Sequence, residues 1–143
     1  MTDAKFEKVS PTDQPLYGPR KLLLCGFSQS VQPNFNKLLE LIDLSEIPKV
    51  WVTNNQADIQ VCELLKLEDS SGWGVSSELP RAIIMAGITQ NEMHGLMTGC
   101  RKSKMKQTLW ATLTPTSETW TIQSLLSELA AEHKAMQKRK YVD

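Results

Sequence analysis

Apolar positions along the chain fall into two kinds of block. Leu22 to Cys25 and Ile83 to Ala86 are unbroken apolar runs of strand length, the pattern of strands covered on both faces. Phe35, Leu38, Leu39 and Ile42 are spaced by three, one and three residues, and Met93, Leu96, Met97 and Cys100 repeat that spacing. Each set is therefore one face of a helix. Val50-Trp51-Val52-Thr53 and Leu109-Trp110-Ala111-Thr112 read as further strands. Val61, Leu64 and Leu65, and again Ile122, Leu125 and Leu126, read as further helical stripes. The order is strand, helix, strand, helix, given twice.

The repetition is literal in one place. Residues 19–29, PRKLLLCGFSQ, recur without a gap as residues 80–90, PRAIIMAGITQ, with Pro, Arg, Gly and Gln unchanged. A period of about sixty residues in two copies suits a closed pseudo-two-fold domain better than a solenoid. The predicted fold is α/β, two pseudo-symmetric βαβα halves forming one small, mainly parallel four-stranded sheet covered by helices. Gly26 is expected to superpose on Gly87, and Trp51 on Trp110. Residues 1–18 read as a polar tail. Residues 19–143 read as one domain, made of a half at 19–66, a linker at 67–79 and a half at 80–143. Gly26 and Gly87 close the first strand of each half, where a residue without Cβ is useful. Thr89 to Glu92 has the form of a capping box, whereas the first copy carries Pro33-Asn34 and its helix is expected to start later. Thr121, with Trp120 before it and Leu125 four residues on, marks the start of the last helix.

Composition narrows the function classes. Sixteen basic residues balance sixteen acidic ones among 143, which removes any whole-chain argument for a nucleic-acid or anionic-membrane partner. The N-terminus lacks the basic start and apolar run of a signal peptide, and no stretch is long enough to span a bilayer. With three cysteines, an odd number set in apolar stretches, the expected location is the cytoplasm. Burial is the expected state of Cys25, Cys62 and Cys100, although Arg101, Lys102 and Lys104 beside Cys100 would lower a thiol pKa.

Candidate chemistry is sparse. His133 lies at the edge of an otherwise apolar stripe that runs from Ile122 to Met136, late in a helix, where the packing reading outweighs a catalytic one. His94 reads as a solvated helix residue, and two histidines with no ligand spacing give no metal site. Arg101-Lys102-Ser103-Lys104-Met105-Lys106 and Lys138-Arg139-Lys140 could form a phosphate patch. No aromatic is interleaved for base stacking, so a solvated loop and a helix end explain them better. Trp73, in the glycine- and serine-rich linker, is a candidate interface anchor, as is His133; folding back onto the core is the competing account of Trp73. In a parallel sheet the carboxyl ends of the strands would gather Gly26, Ser28, Thr53, Asn54, Gly87, Thr89, Thr112 and Thr114 into one rim able to hold a small anion through hydroxyls and backbone donors. The same residues also serve simply as turns and caps.

The second half carries a resemblance. Its strand ending in Gly87, the threonines near Ala111-Thr112-Leu113-Thr114, and the helix opening at Trp120-Thr121 and closing on Glu132-His133 resemble an uncharacterised bacterial domain family, domain-of-unknown-function family 3783. The first half departs from it, having no Trp-Thr counterpart at Gln60 and no Glu-His counterpart. The resemblance implies a fold and no activity. The expected function is a non-enzymatic binding or regulatory module whose partner is a protein or a second copy of the chain, as in a homodimer. The alternatives are a protein binding a small anionic ligand at the strand ends, and an enzyme using Cys100 or Ser28 as nucleophile. No cofactor, catalytic residue or metal ligand is assigned.

Overall fold

The computed structural model describes residues 14–103, 105 and 107–142. Most of the N-terminal tail therefore lies outside the described residues. Strand β1 (Lys21–Cys25) leads through helix α1 (Gln32–Leu41) to β2 (Lys49–Val52), and a short helix α2 (Val61–Leu64) follows. The second unit repeats this order as β3 (Ala82–Ala86), α3 (Gln90–Lys102), β4 (Leu109–Thr112) and α4 (Ile122–Val142). The architecture is α/β, with one four-stranded sheet in the order β2-β1-β3-β4.

The sheet is mixed, which corrects the expectation of a mainly parallel one. β1 pairs with β2 in parallel and β3 with β4 in parallel, but the central β1–β3 pair is antiparallel. The pattern of strand, helix and strand fixes each outer pair as parallel because a crossover joins its members. It carries no information on how the second unit docks against the first.

Why the strands are apolar throughout follows from the layers. Leu22, Leu24, Ile83 and Met85 point to one face and pack beneath Phe35 and Leu39 of α1 and Leu96 and Cys100 of α3. Leu23, Cys25, Ile84 and Ala86 point to the other, against Val61 and Leu64 of α2 and Ile122, Leu125 and Leu126 of α4. With side chains alternating between faces and helices on both, no polar position is tolerated within β1 after its first residue. Each fully buried aliphatic side chain contributes about 1.5–3 kcal/mol.

The ladders correct two expected equivalences. Trp51 lies opposite Leu24 and Lys49 opposite Leu22, whereas Trp110 lies opposite Ile83. In strand register Trp110 therefore stands where Lys49 stands in the first unit, two residues from the place of Trp51. A displacement of two keeps a side chain on the same face, and Trp110 does pack against the same core as Trp51. The helical stripes are shifted as well. The buried residues of α1 include Phe35, Leu38 and Leu39, and those of α3 are Leu96, Gly99 and Cys100, a spacing of 61 residues rather than the 58 read from Phe35 and Met93. Gly99 was invisible as a stripe member because it is apolar only by omission; it lets α3 approach Leu38 of α1 and Ile42 at the end of that helix.

Three tethers close the fold. The approaches to α2 and α4 are tied by Val61 N–H donating to Trp120 O at 2.8 Å and Ile122 N–H donating to Ile59 O at 2.9 Å. The linker lies along the outer edge of β2, where Trp51 N–H donates to Ser71 O and Ser70 N–H to Lys49 O. Pro15 bridges to Thr89, and Leu16 N–H donates to Ile88 O, so the described end of the tail lies across the end of β3. No helix among the described residues is long and apolar enough to cross a membrane.

Candidate functional site

An antiparallel centre sends the strand ends in opposite directions, so the eight rim residues do not form one site. Gly26, Ser28, Thr53 and Asn54 follow β1 and β2 at one end of the sheet, where β3 and β4 begin. Gly87, Thr89, Thr112 and Thr114 end or follow β3 and β4 at the other, where β1 and β2 begin. At each end a glycine meets the chain entering the neighbouring central strand. Gly26, at φ +77°, has the Leu79 carbonyl and Arg81 N where a Cβ would stand; Gly87, at φ +66°, has Gly18 O and Arg20 N there, both at 2.5 Å. Both conformations lie in the left-handed region that a side chain disfavours, and neither leaves room for one.

The end with Gly87 is internally satisfied. Thr89 caps α3, its hydroxyl accepting from Glu92 N–H at 3.1 Å while Glu92 Oε1 accepts from Thr89 N–H at 2.9 Å. The same carboxylate takes a fork from Arg20, with Nη1 and Nη2 each at 2.7 Å. Arg20 Nη2 also donates to Glu46 at 2.9 Å. The Arg20 guanidinium is the main cause holding the Glu92 carboxyl below its ordinary pKa, and the hydrogen bond to Glu92 is the main cause raising that of Arg20. Thr114 is committed to a turn, exchanging hydrogen bonds with Ser117.

The end with Gly26 opens as a groove of about 1060 Å³. Its walls are the Ser28 to Leu41 side of α1, the linker at Ser77 to Pro80, and the approach to β4 at Met105 and Gln107. Asn54 shapes it indirectly, its Oδ1 accepting from Glu78 N–H at 2.8 Å and from the Ser77 hydroxyl at 3.3 Å. Thr53 closes its own short turn with Gln56 and does not line the groove. Arg81 does. Its Nε donates to Gly26 O at 3.1 Å, and its guanidinium carbon lies 4.3 Å above the centre of the Phe27 ring. It is half-buried, and burial lowers its pKa. No carboxylate among the described residues forms an ion pair with it.

Other candidates lie apart or inert. Burial pushes the Cys25 thiol up to about 12 and the Cys100 thiol up to about 11, with Arg81 lowering the latter only in part. Protonated thiols are poor nucleophiles. The Ser28 hydroxyl sits 3.3 Å from that of Ser30, and no general base among the described residues is hydrogen-bonded to it. No three of His, Cys, Asp and Glu among the described residues stand close enough to hold a metal. His133 shares a hydrogen bond with Gln107, and His94 is exposed. Trp73 is 47 % exposed, its other side resting edge-on against Trp51, with ring centroids 5.4 Å apart. Lys104 and Lys106 of the basic run, and the side chains of Lys138 to Lys140, lie outside the described residues.

Arg81, Lys37 and Gln107 were missed by strand-end reasoning, which looked only downstream of each strand. The available signal was the arginine kept identical in PRKLLL and PRAIIM.

Residues 81–136 match the model of a domain of unknown function, DUF3783, in agreement with the resemblance of the second half. Comparison with curated proteins and with solved structures gives no match.

Proposed function

We propose that the chain is a non-enzymatic binding module built from two copies of one βαβα unit, and that it binds a small ligand in the groove beside Gly26. The duplication is supported by spacing. The central ladder pairs Lys21 with Ala86 and Cys25 with Ala82, so adding 61 to one member and subtracting 61 from the other returns a pair of the same ladder. Val61 to Trp120 and Ile122 to Ile59 stand in that same relation. The observation that carries the binding reading is the groove itself. It joins apolar walls from Val31, Leu38, Leu41, Leu79 and Met105 to a half-buried cation, the usual make-up of a small-molecule site. Among the described residues no nucleophile and base are paired along it. A cytoplasmic setting suits the three free thiols.

Amide-resolved NMR on the full chain against a fragment library tests this. Shifts should gather on Ser28, Leu41, Leu79 and Met105. Shifts scattered over the surface, or turnover of any fragment, would sink it.

A second reading, association with a protein or a second copy through the linker, is favoured by Trp73 and Val75, which are 47 % and 50 % exposed and close in sequence. His133, the other candidate for an interface, shares a hydrogen bond with Gln107. If the reading holds, sedimentation at rising concentration should reveal a dimer that Trp73→Ala weakens.

A further inference from the structure

Arg20 and Arg81 are 61 residues apart, each follows a proline, and each enters a central strand against the glycine that ends the other. Arg20 has two carboxylates, Glu92 and Glu46. The residues 61 places from these are Val31 and Gln107, and both line the groove beside Arg81. The local backbone agrees with that spacing: Gln32 N–H donates to Ser28 O as Met93 N–H donates to Thr89 O. The two acids that neutralise one arginine are thus replaced around the other by a hydrocarbon and a neutral amide, and the room they leave faces solvent.

We infer that Arg81 is the receptor for the carboxylate of a small organic acid, which takes in the groove the place that Glu92 takes on Arg20. The inference rests on the binding-module reading and names its ligand class. Nε of Arg81 is committed to Gly26 O and one face of the guanidinium to Phe27, leaving the Nη edge to a ligand. A fork of two parallel N–H groups suits a planar carboxylate, and Arg20 makes that fork with Glu92. A half-buried cation without an anion is costly, so an anion is favoured over water there. Lys37 adds a second positive charge to the lining, against one acid, Glu78. The rest of the wall sets the hydrocarbon of Val31, Leu38, Leu79 and Met105 beside the polar Ser28 and Asn34, and Leu41 at its margin is 84 % exposed. The apolar set offers a seat for a hydrocarbon portion of the ligand.

Calorimetry and NMR on the full chain with hexanoate, hexanamide and inorganic phosphate decide it. Hexanoate should bind about tenfold or more tightly than hexanamide, the ratio expected of a charge-assisted hydrogen-bond pair, and more tightly than phosphate. Arg81→Gln should abolish that advantage while leaving hexanamide binding in place, which also shows the variant is folded. Val31→Glu, which removes no polar group from the groove, should block hexanoate by supplying the missing carboxylate internally and should raise the melting temperature. Equal binding of hexanoate and hexanamide overturns the inference and leaves the binding module standing. Phosphate binding more tightly than hexanoate through Arg81 overturns the carboxylate assignment. If neither hexanoate nor hexanamide perturbs the groove, both readings fall together.

Discussion

The two ends of the sheet place an arginine against a glycine in the same way and differ in what surrounds it. At one end Arg20 is clamped by Glu92 and Glu46; at the other Arg81 rests on Phe27 beside open space. On the binding-module reading the contrast separates scaffold from proposed site. Glycine turns and ladder register persist at both ends because backbone geometry requires them, whereas the charged partners differ because the fold does not depend on them. A position where one end is self-neutralised and the other is not is where a ligand's chemistry has room to enter.

The strongest way to break the comparison is through the two glycines. Gly26→Ala and Gly87→Ala should each cost about 3 kcal/mol or more, since each forces a side chain into left-handed backbone and onto a neighbouring main chain. Denaturant unfolding of both variants checks this. If one is tolerated within about 1 kcal/mol, the two ends are not built alike.

A smaller effect separates the arginines. Arg20→Gln should destabilise by about 1–2 kcal/mol, discounted for the partial exposure of its ion pairs. Arg81→Gln should cost under about 1 kcal/mol, the worth of its stacking on Phe27. For a chain of this length 1 kcal/mol moves the melting temperature by roughly 2–4 °C, so calorimetry resolves the two. A reversed order would mean that Arg81 is structural and the groove incidental.

The smallest effect is on acid stability, and its sign follows from Glu92. Its carboxyl is held below the ordinary value of 4.5 by Arg20, so the unfolded chain takes up the proton first as pH falls. The stabilisation is complete well above 4.5 and is lost as pH drops from there through the lower folded value. Glu92→Gln should flatten that part of the stability profile by about 1 kcal/mol or less. The valine at the corresponding place, Val31, has no such dependence to give, so an unchanged profile in Glu92→Gln would erase the electrostatic difference between the ends.

Much of the fold was legible where periodicity alone decides. The runs at Leu22 and Ile83 are strands because both faces of the sheet are covered, and the Thr89 to Glu92 cap is local enough to be seen in four letters. Matching Trp51 to Trp110 failed because a shared aromatic does not fix ladder position, and the two tryptophans lie opposite Leu24 and Ile83. The parallel sheet failed because the direction of docking between units depends on contacts such as Leu23 opposite Ile84, which no local pattern encodes. The site was hardest to see. Arg20 meets Glu92 across 72 residues, and although the repeated Pro-Arg marks Arg81, its lack of such a partner is not written in any local pattern. Only the spacing that carries Glu92 to Val31 and Glu46 to Gln107 exposes the difference.

Cys25 and Cys100 sit in opposite layers, the first between the sheet and the α2 and α4 helices, the second between the sheet and the α1 and α3 helices. A thiol reagent reaches either one only when its own layer lifts. In a chain whose half-buried Cys62 has been changed to serine, the two labelling rates become independent clocks, and their ratio reads whether the helices shed together or one side at a time.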